Sequence, residues 1–291
     1  MGSLLSSDRV LESSDASEKA RKGVISYDWN LNKTKVDLGE VASIDIVSWN
    51  ILAPCYRRLE ANSELGIRLR EGHDKKAWLK RATDTLSFLE NMFISYKTEG
   101  GPEIVALQEF WMKDEYKDMF FLLFQKYGYE CRTCKRPGSK MDSVCILVKK
   151  EEYTIEDQKD VRLLGGDRVA LLLKVKHKRS GRICYIANTH LSFPHCTLDR
   201  RTQQKQMEAL IAMISDFSGS KGSKENKSKN KDEKKNGQET KQGEGEGEGK
   251  KLFSVVLGDF NVEQNSSVCQ MLSHAGFVSC LQVSLSPSLS L

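Results

Sequence analysis

The sequence predicts an α/β domain, and three observations carry that expectation. Short apolar, β-branched runs recur along the chain. Stretches with apolar residues at three- and four-residue steps lie between them, and several runs end on an acid, an amide or a histidine. Strands mixed with helices gather functional side chains at strand ends and loops.

Ile44-Asp45-Ile46-Val47-Ser48-Trp49-Asn50 alternates and reads as a strand. Leu79, Ala82, Leu86, Leu89 and Phe93 form one face of an amphipathic helix, which Gly100-Gly101-Pro102 breaks. Ile104 to Glu109 is a second apolar strand, and it ends on a carboxylate. Tyr116 to Lys126 reads as a helix and Val144 to Val148 as a strand. Val169 to Val175 and Ile183 to Ala187 read as strands joined by the turn Lys178-Arg179-Ser180-Gly181, with Asn188-Thr189-His190 ending the second. Arg201 to Phe217 returns to a helical pattern. The run Phe253-Ser254-Val255-Val256-Leu257-Gly258-Asp259-Phe260-Asn261 then delivers one acid and one amide onto a glycine-initiated bend, and Ser266 to Ala275 is helical.

At 291 residues the chain is long enough for one large domain or two. Residues 1–42 are rich in Ser, Asp, Glu and Lys and read as a flexible arm, with a short ordered piece around Val24 to Trp29. The domain is expected over 43–280. It is interrupted at 218–251 by a segment with no aromatic or aliphatic residue, which reads as a solvated insertion, and is followed by a Ser/Leu tail at 281–291.

A hydrophobic share of 39% with 29% charged residues excludes a disordered chain, and the net charge of +5 suits either solubility or an anionic partner. Cys145 and Cys184 sit inside apolar runs and read as buried thiols. Cys131 and Cys134 form a C-x-x-C without the second pair that a zinc site needs. No apolar stretch reaches the length of a membrane span. Met1-Gly2-Ser3-Leu4-Leu5-Ser6 fits the pattern of a myristoylation signal, which short accidental matches also fit. With no secretory leader, a cytoplasmic location is expected. The nucleus is the alternative, through the Lys-rich insertion.

The strand ends supply Asn50, Glu109, Asn188, His190, Asp259 and Asn261. Hydrolysis of a phosphodiester needs a divalent ion, donors for the phosphoryl oxygens and an activated water. Mg²⁺ favours one or two carboxylates plus waters, which suits Glu109 with Asp259; Mn²⁺ is the alternative. Asn50 and Asn261 can donate to phosphate without adding charge, and His190 can donate to a developing oxyanion. Each has a plainer reading: an exposed acid, a turn residue before Pro54, a turn cap or a structural histidine. Their recurrence at successive strand ends favours the chemical one.

Trp49-Asn50-Ile51-Leu52-Ala53-Pro54, Leu107-Gln108-Glu109, Asn188-Thr189-His190-Leu191 and Gly258-Asp259-Phe260-Asn261 resemble the successive motifs of the endonuclease/exonuclease/phosphatase superfamily. Within it, Asn50-Ile51-Leu52-Ala53-Pro54-x-Tyr56 and Trp78-x-x-Arg81 resemble the carbon-catabolite-repressor-type deadenylases. Gly166-Asp167-Arg168-Val169-Ala170, Phe193-Pro194-His195 and Arg201-x-x-Gln204 are similar to a plant branch joined to calcium-binding EF-hands.

The resemblance implies a DNase I-like four-layer sandwich, with two mixed β-sheets packed face to face and flanked by helices. It implies Glu109 as principal metal ligand, Asn50 holding metal and phosphate, and His190 on the scissile phosphate. Asp259 would orient the attacking water or hold metal, and Asn261 would support the phosphate, with Asn188 counted among the substrate-binding residues. Asp142 falls where the family has Asp-Gly, but Ser143 follows it. The basic loop Lys135 to Lys140 reads as a phosphate contact or as a solvated turn.

The implied activity is that of a 3′-exoribonuclease on poly(A)-like RNA, with a lipid or small phosphoester as the rival substrate. The family pattern ends on an Asp-His pair, whereas Leu281 to Leu291 is a Ser/Leu sequence. The expectation is therefore a fold incomplete at its C-terminus and a weakened or absent activity. A non-catalytic protein binding metal, phosphate or a partner is the competing function.

Overall fold

The computed structural model describes residues 25–28, 33–37, 43–59, 69–95, 101–219 and 253–279. In chain order these hold β1 (Ile25–Asp28), β2 (Lys33–Asp37), β3 (Ser43–Asn50), α1 (Lys75–Ser95), β4 (Ile104–Trp111), α2 (Asp114–Lys126), β5 (Tyr129–Lys135) and β6 (Asp142–Lys149). There follow β7 (Tyr153–Arg162), β8 (Val169–His177), β9 (Ile183–His190), α3 (Thr197–Phe217), β10 (Phe253–Asp259) and α4 (Ser267–His274).

The strands form a six-stranded sheet in the order β1-β2-β3-β4-β6-β5 and a four-stranded sheet in the order β10-β9-β8-β7. Most neighbours are antiparallel, but β3 with β4 and β9 with β10 run parallel. A parallel pair needs a crossover. Helix α1 supplies it in the first sheet and α3 in the second. Each sheet thus aligns two strand C-termini side by side, with Asn50 opposite Gln108 in one and His190 opposite Asp259 in the other.

The two-residue period of the strands sorts their side chains into layers. Val105, Leu107, Cys145 and Leu147 face α1 and α2, where they pack with Trp78, Leu89, Phe93, Phe120 and Phe124. Their neighbours Ile104, Val144, Ile146 and Val148 face the other way, onto Leu171, Leu173, Val175 and Ile186 of the second sheet. Ala170, Leu172 and Ala187 then cover the far side against Met207, Leu210 and Ile214 of α3 and Val268 of α4. The result is a helix–sheet–sheet–helix sandwich, as the sequence resemblance implied. Each fully buried large side chain in these layers contributes about 1.5–3 kcal/mol relative to exposure.

Beyond the N-terminal arm, two strands escape the sequence reading. β5 and β7 lie at the edges of their sheets, and Glu156, Asp157, Lys159 and Asp160 give β7 a charged solvent face that hides its alternation. Cys131 and Cys134 lie on β5, where the Cys131 sulfur sits 3.2 Å from that of Cys145 and Cys134 is buried. Burial pushes the Cys134 thiol up to about 12, so the C-x-x-C is packing material. The expected flexible arm at 1–42 carries β1 and β2, which extend the first sheet antiparallel from β3. The rest of that arm, the insertion from 220 onward and the 281–291 tail lie outside the described residues.

Candidate active site

The sheets converge where their parallel strand pairs end. Asn50 closes β3, Glu109 lies near the end of β4, His190 closes β9 and Asp259 closes β10. Glu109 falls where the β4–β6 register shifts, between Leu107 and Phe110, and its backbone is left-handed at φ 55. Such a bulge re-aims a side chain out of the pleat. Among the described residues, the other non-glycine ones with left-handed backbone are Leu52 (φ 54) and Asn261 (φ 52), both flanking the same cluster. Strained backbone gathered at one place marks a site held in shape by its surroundings.

Asn50 joins the two carboxylates. Its Nδ2 donates to Glu109 Oε1 at 3.1 Å and to Asp259 Oδ2 at 2.8 Å. Its Oδ1 accepts the Leu52 N–H at 2.9 Å, which fixes the orientation of the amide. The second Glu109 oxygen accepts the Ala53 N–H at 3.1 Å. Asn50 therefore faces the cluster with its NH₂ group. The oxygen that a role as metal ligand requires is turned to the backbone.

His190 lies between the same carboxylates, with Nδ1 3.8 Å from Glu109 Oε1 and Nε2 3.7 Å from Asp259 Oδ2. Asn261 Nδ2 donates to the Leu191 carbonyl at 3.0 Å and faces His190 Nε2 at 2.9 Å. A carbonyl only accepts, so this amide edge is the NH₂, and Nε2 must be the accepting nitrogen. The ring proton then sits on Nδ1, which is enclosed and has no hydrogen-bond partner. Burial pushes the imidazole down to about 4; Arg168 adds to this and Asp259 opposes it. His190 is thus a neutral ring presenting one free donor to the cluster.

The loops that carry these groups are clamped from behind. Gln203 of α3 donates to the carbonyls of Ser192 at 2.7 Å, Phe260 at 3.2 Å and Asn261 at 3.2 Å. Arg81 of α1 donates to the Ile51 carbonyl at 2.9 Å and the Leu52 carbonyl at 2.6 Å, and pairs with fully buried Glu71 at 2.7 Å.

Asn188 does not join the site. It is fully buried, donating to the carbonyls of Leu107 at 3.0 Å and Cys145 at 2.9 Å and accepting from Gln108 at 2.8 Å. It staples one sheet to the other, so its expected contact with substrate is replaced by a structural one. The basic loop behaves similarly. Arg136 is spent on buried Asp142 and on Asp167, with Tyr56 donating to the same Asp142, and Lys140 lies 3.7 Å from Asp167. Asp142, whose role the sequence left open, anchors this network. Gln203 and Arg168 were missed by sequence reading, although each lies beside or within a quoted motif.

Among the described residues no group of three or more His, Cys, Asp or Glu side chains encloses a metal-sized space. Two carboxylates with a partly open face, Glu109 at 12% and Asp259 at 32% side-chain exposure, instead fit a hard cation that keeps several of its waters. Among the described residues no helix is long and apolar enough to cross a membrane.

No family model matches this chain. An uncharacterised calcium-binding protein of Arabidopsis thaliana is 27% identical over 165 residues, covering 53% of this chain and 32% of that protein. Protein angel homolog 2 of Danio rerio is 29% identical over 124 residues, covering 39% and 21%. The matches thus span a third or less of these curated relatives' length. Among solved structures, the human Nocturnin catalytic domain with bound sulfate superposes with a TM-score of 0.54 at 22% identity, covering 80% of this chain and 70% of its own. ANGEL2, described as a 2′,3′-cyclic phosphatase, gives 0.53 at 22% identity over 79% and 56%. An endonuclease/exonuclease/phosphatase family protein of Bacteroides thetaiotaomicron gives 0.50 at 14% identity over 81% and 68%.

Proposed function

We infer, from a chain that carries the endonuclease/exonuclease/phosphatase fold, that it hydrolyses phosphoester bonds with the help of a divalent cation. One observation carries the reading. Strand ends from two different sheets bring two carboxylates, two amides and a neutral imidazole to one point.

Glu109 and Asp259 would hold the cation, Mg²⁺ by the all-oxygen donor set and Mn²⁺ as its substitute. When bound, such an ion neutralises phosphoryl charge and acidifies a water. The chain's own groups supply the rest. His190 donates its Nδ1–H to a phosphoryl oxygen whose charge grows in the transition state. Asn261 holds that ring in the donating tautomer, and Asp259 orients the attacking water. Asn50 keeps the carboxylates together against their repulsion.

The substrate we propose is RNA, attacked from a poly(A)-like 3′ end, in the cytoplasm or nucleus. Support comes from the motif resemblance and from the structural relatives: one holds sulfate, and ANGEL2 holds adenosine-2′,3′-vanadate. The ANGEL2 ligand also favours a second substrate, an RNA terminus closed as a 2′,3′-cyclic phosphate.

The test is Mg²⁺-dependent turnover of 3′- and 5′-labelled poly(A), and of an oligonucleotide ending in a 2′,3′-cyclic phosphate, with Glu109→Ala as control. Stepwise loss from the 3′ end that the variant lacks supports the exonuclease. Ring opening alone selects the second substrate. No turnover of any of these by a folded chain overturns the hydrolase reading in favour of a binding function.

A further inference from the structure

We propose that Arg168 is a binding residue for a phosphate group of the ligand, acting beside His190; the proposal rests on the phosphoester reading above. Arg168 stands one residue before β8. The register pairs Ala170 with Thr189, and the Thr189 hydroxyl donates to the Val169 carbonyl at 2.9 Å, so the Arg168 backbone reaches the level of His190 at the end of β9. Its side chain is partly buried, with Nη1 enclosed. It lies within electrostatic reach of Arg136, Asp142, Asp167, Glu109 and, from the other side, His190.

Its nearest cationic neighbour already has partners. Arg136 is paired with Asp142 and Asp167, which leaves those acids little to offer a second guanidinium. Arg168 Nη1 is enclosed and has no acceptor, and burial together with Arg136 lowers its affinity for its proton. A partly buried guanidinium next to another cation, with an enclosed and orphaned N–H, is completed by an anionic acceptor.

Among the described residues, the only other enclosed donor at this end of the strands without an acceptor is His190 Nδ1. A tetrahedral oxyanion offers several acceptor oxygens and one or two negative charges, and so satisfies both donors together. A planar guanidinium also grips two phosphate oxygens at once, which a lysine at this position could not do. The pair defines an anion subsite at the edge of the carboxylate cluster, and it selects ligands carrying phosphate over neutral esters.

The experiment is calorimetric titration of the full chain with inorganic phosphate in EDTA, alongside thermal unfolding, for the wild type, Arg168→Met and Arg168→Lys. Arg179→Met, on the turn at the opposite end of β8, is the control. The wild type and the control should bind phosphate and melt higher with it. Arg168→Met should bind at least tenfold more weakly while its ligand-free melting point stays level or rises, because a partly buried cation with an orphaned N–H has been removed.

Arg168→Lys should fall between the two. A merely structural arginine would give the opposite signature, a lower melting point with phosphate affinity retained, and that result overturns the proposal. So does a wild type that binds no phosphate. These outcomes are independent of turnover. A chain that binds phosphate through Arg168 but hydrolyses nothing retires the enzymatic reading alone, and an active chain whose KM ignores Arg168→Met retires this one alone.

Discussion

Gly258 and Thr189 meet so closely across the parallel strands β9 and β10 that a Cβ on Gly258 would stand 2.1 Å from the Thr189 carbonyl oxygen. Gly258 also holds a φ of 146, which side chains rarely adopt. The contact sets the spacing between His190 and Asp259, the next residue of each strand. Gly258→Ala is therefore expected to destabilise the fold by more than about 2 kcal/mol and to remove activity, as read by denaturant unfolding and turnover on the same sample.

Arg81 answers to two groups at once. It neutralises Glu71, which is 0% exposed, and it ties down the Ile51 and Leu52 carbonyls just after Asn50. Arg81→Ala leaves Glu71 with Arg57 as its remaining partner at 3.0 Å. Breaking a buried pair from one side typically costs about 3–5 kcal/mol. The expected result is a loss at the lower end of that range by urea titration, with turnover lost before global unfolding.

Asn261→Gly separates chemistry from stability. Glycine adopts the left-handed backbone freely, so the φ of 52 ceases to be a strain, while the amide that fixes His190 disappears. Stability should change by less than about 1 kcal/mol while kcat falls about 100-fold or more. Nitrogen NMR of the imidazole should show proton density moving from Nδ1 toward Nε2. An unchanged tautomer would remove Asn261 from the role assigned to it.

Glu103 gives a pH signature away from the site. Burial raises its carboxyl above the ordinary range, against a hydrogen bond from Tyr153 at 2.6 Å that lowers it. A raised folded-state value means that the folded chain holds this proton longer than the unfolded chain. Its contribution is thus fully favourable below the ordinary glutamate range and is lost as pH climbs through the raised value. Glu103→Gln keeps an acceptor for Tyr153 and should be more stable than the wild type at pH 7. That advantage should shrink toward pH 4 in melting experiments at both values. A constant gap would mean that the carboxyl is not raised.

The central strands and the helices were legible because burial on one or both faces wrote a clean period into them, as in Val144 to Val148 or Leu79 to Phe93. The edge strands β5 and β7 were not, since one face of each meets solvent and its charges blur the alternation. Within the site, residue types at strand ends located Glu109, His190, Asp259 and the two asparagines that reach them. Residue type could not separate Asn50, whose amide meets two carboxylates, from Asn188, whose amide is used up between sheets. Nor could it find Gln203 or Arg168, which are defined by what surrounds them in space rather than by their neighbours in sequence.

The hydrogen bond between Asn50 and Asp259 spans 209 positions of the chain. Contacts that distant form late, because the intervening loop must be closed before they return any free energy. A polypeptide leaving the ribosome can thus build the first sheet and both of its helices from residues up to Lys149 while the strand-end cluster around Asn50 and Glu109 is still missing half its parts. The cluster closes in a single late event, when β10 docks beside β9, and a nascent chain stalled before that docking carries Asn50 and Glu109 without Asp259, their partner from the other sheet.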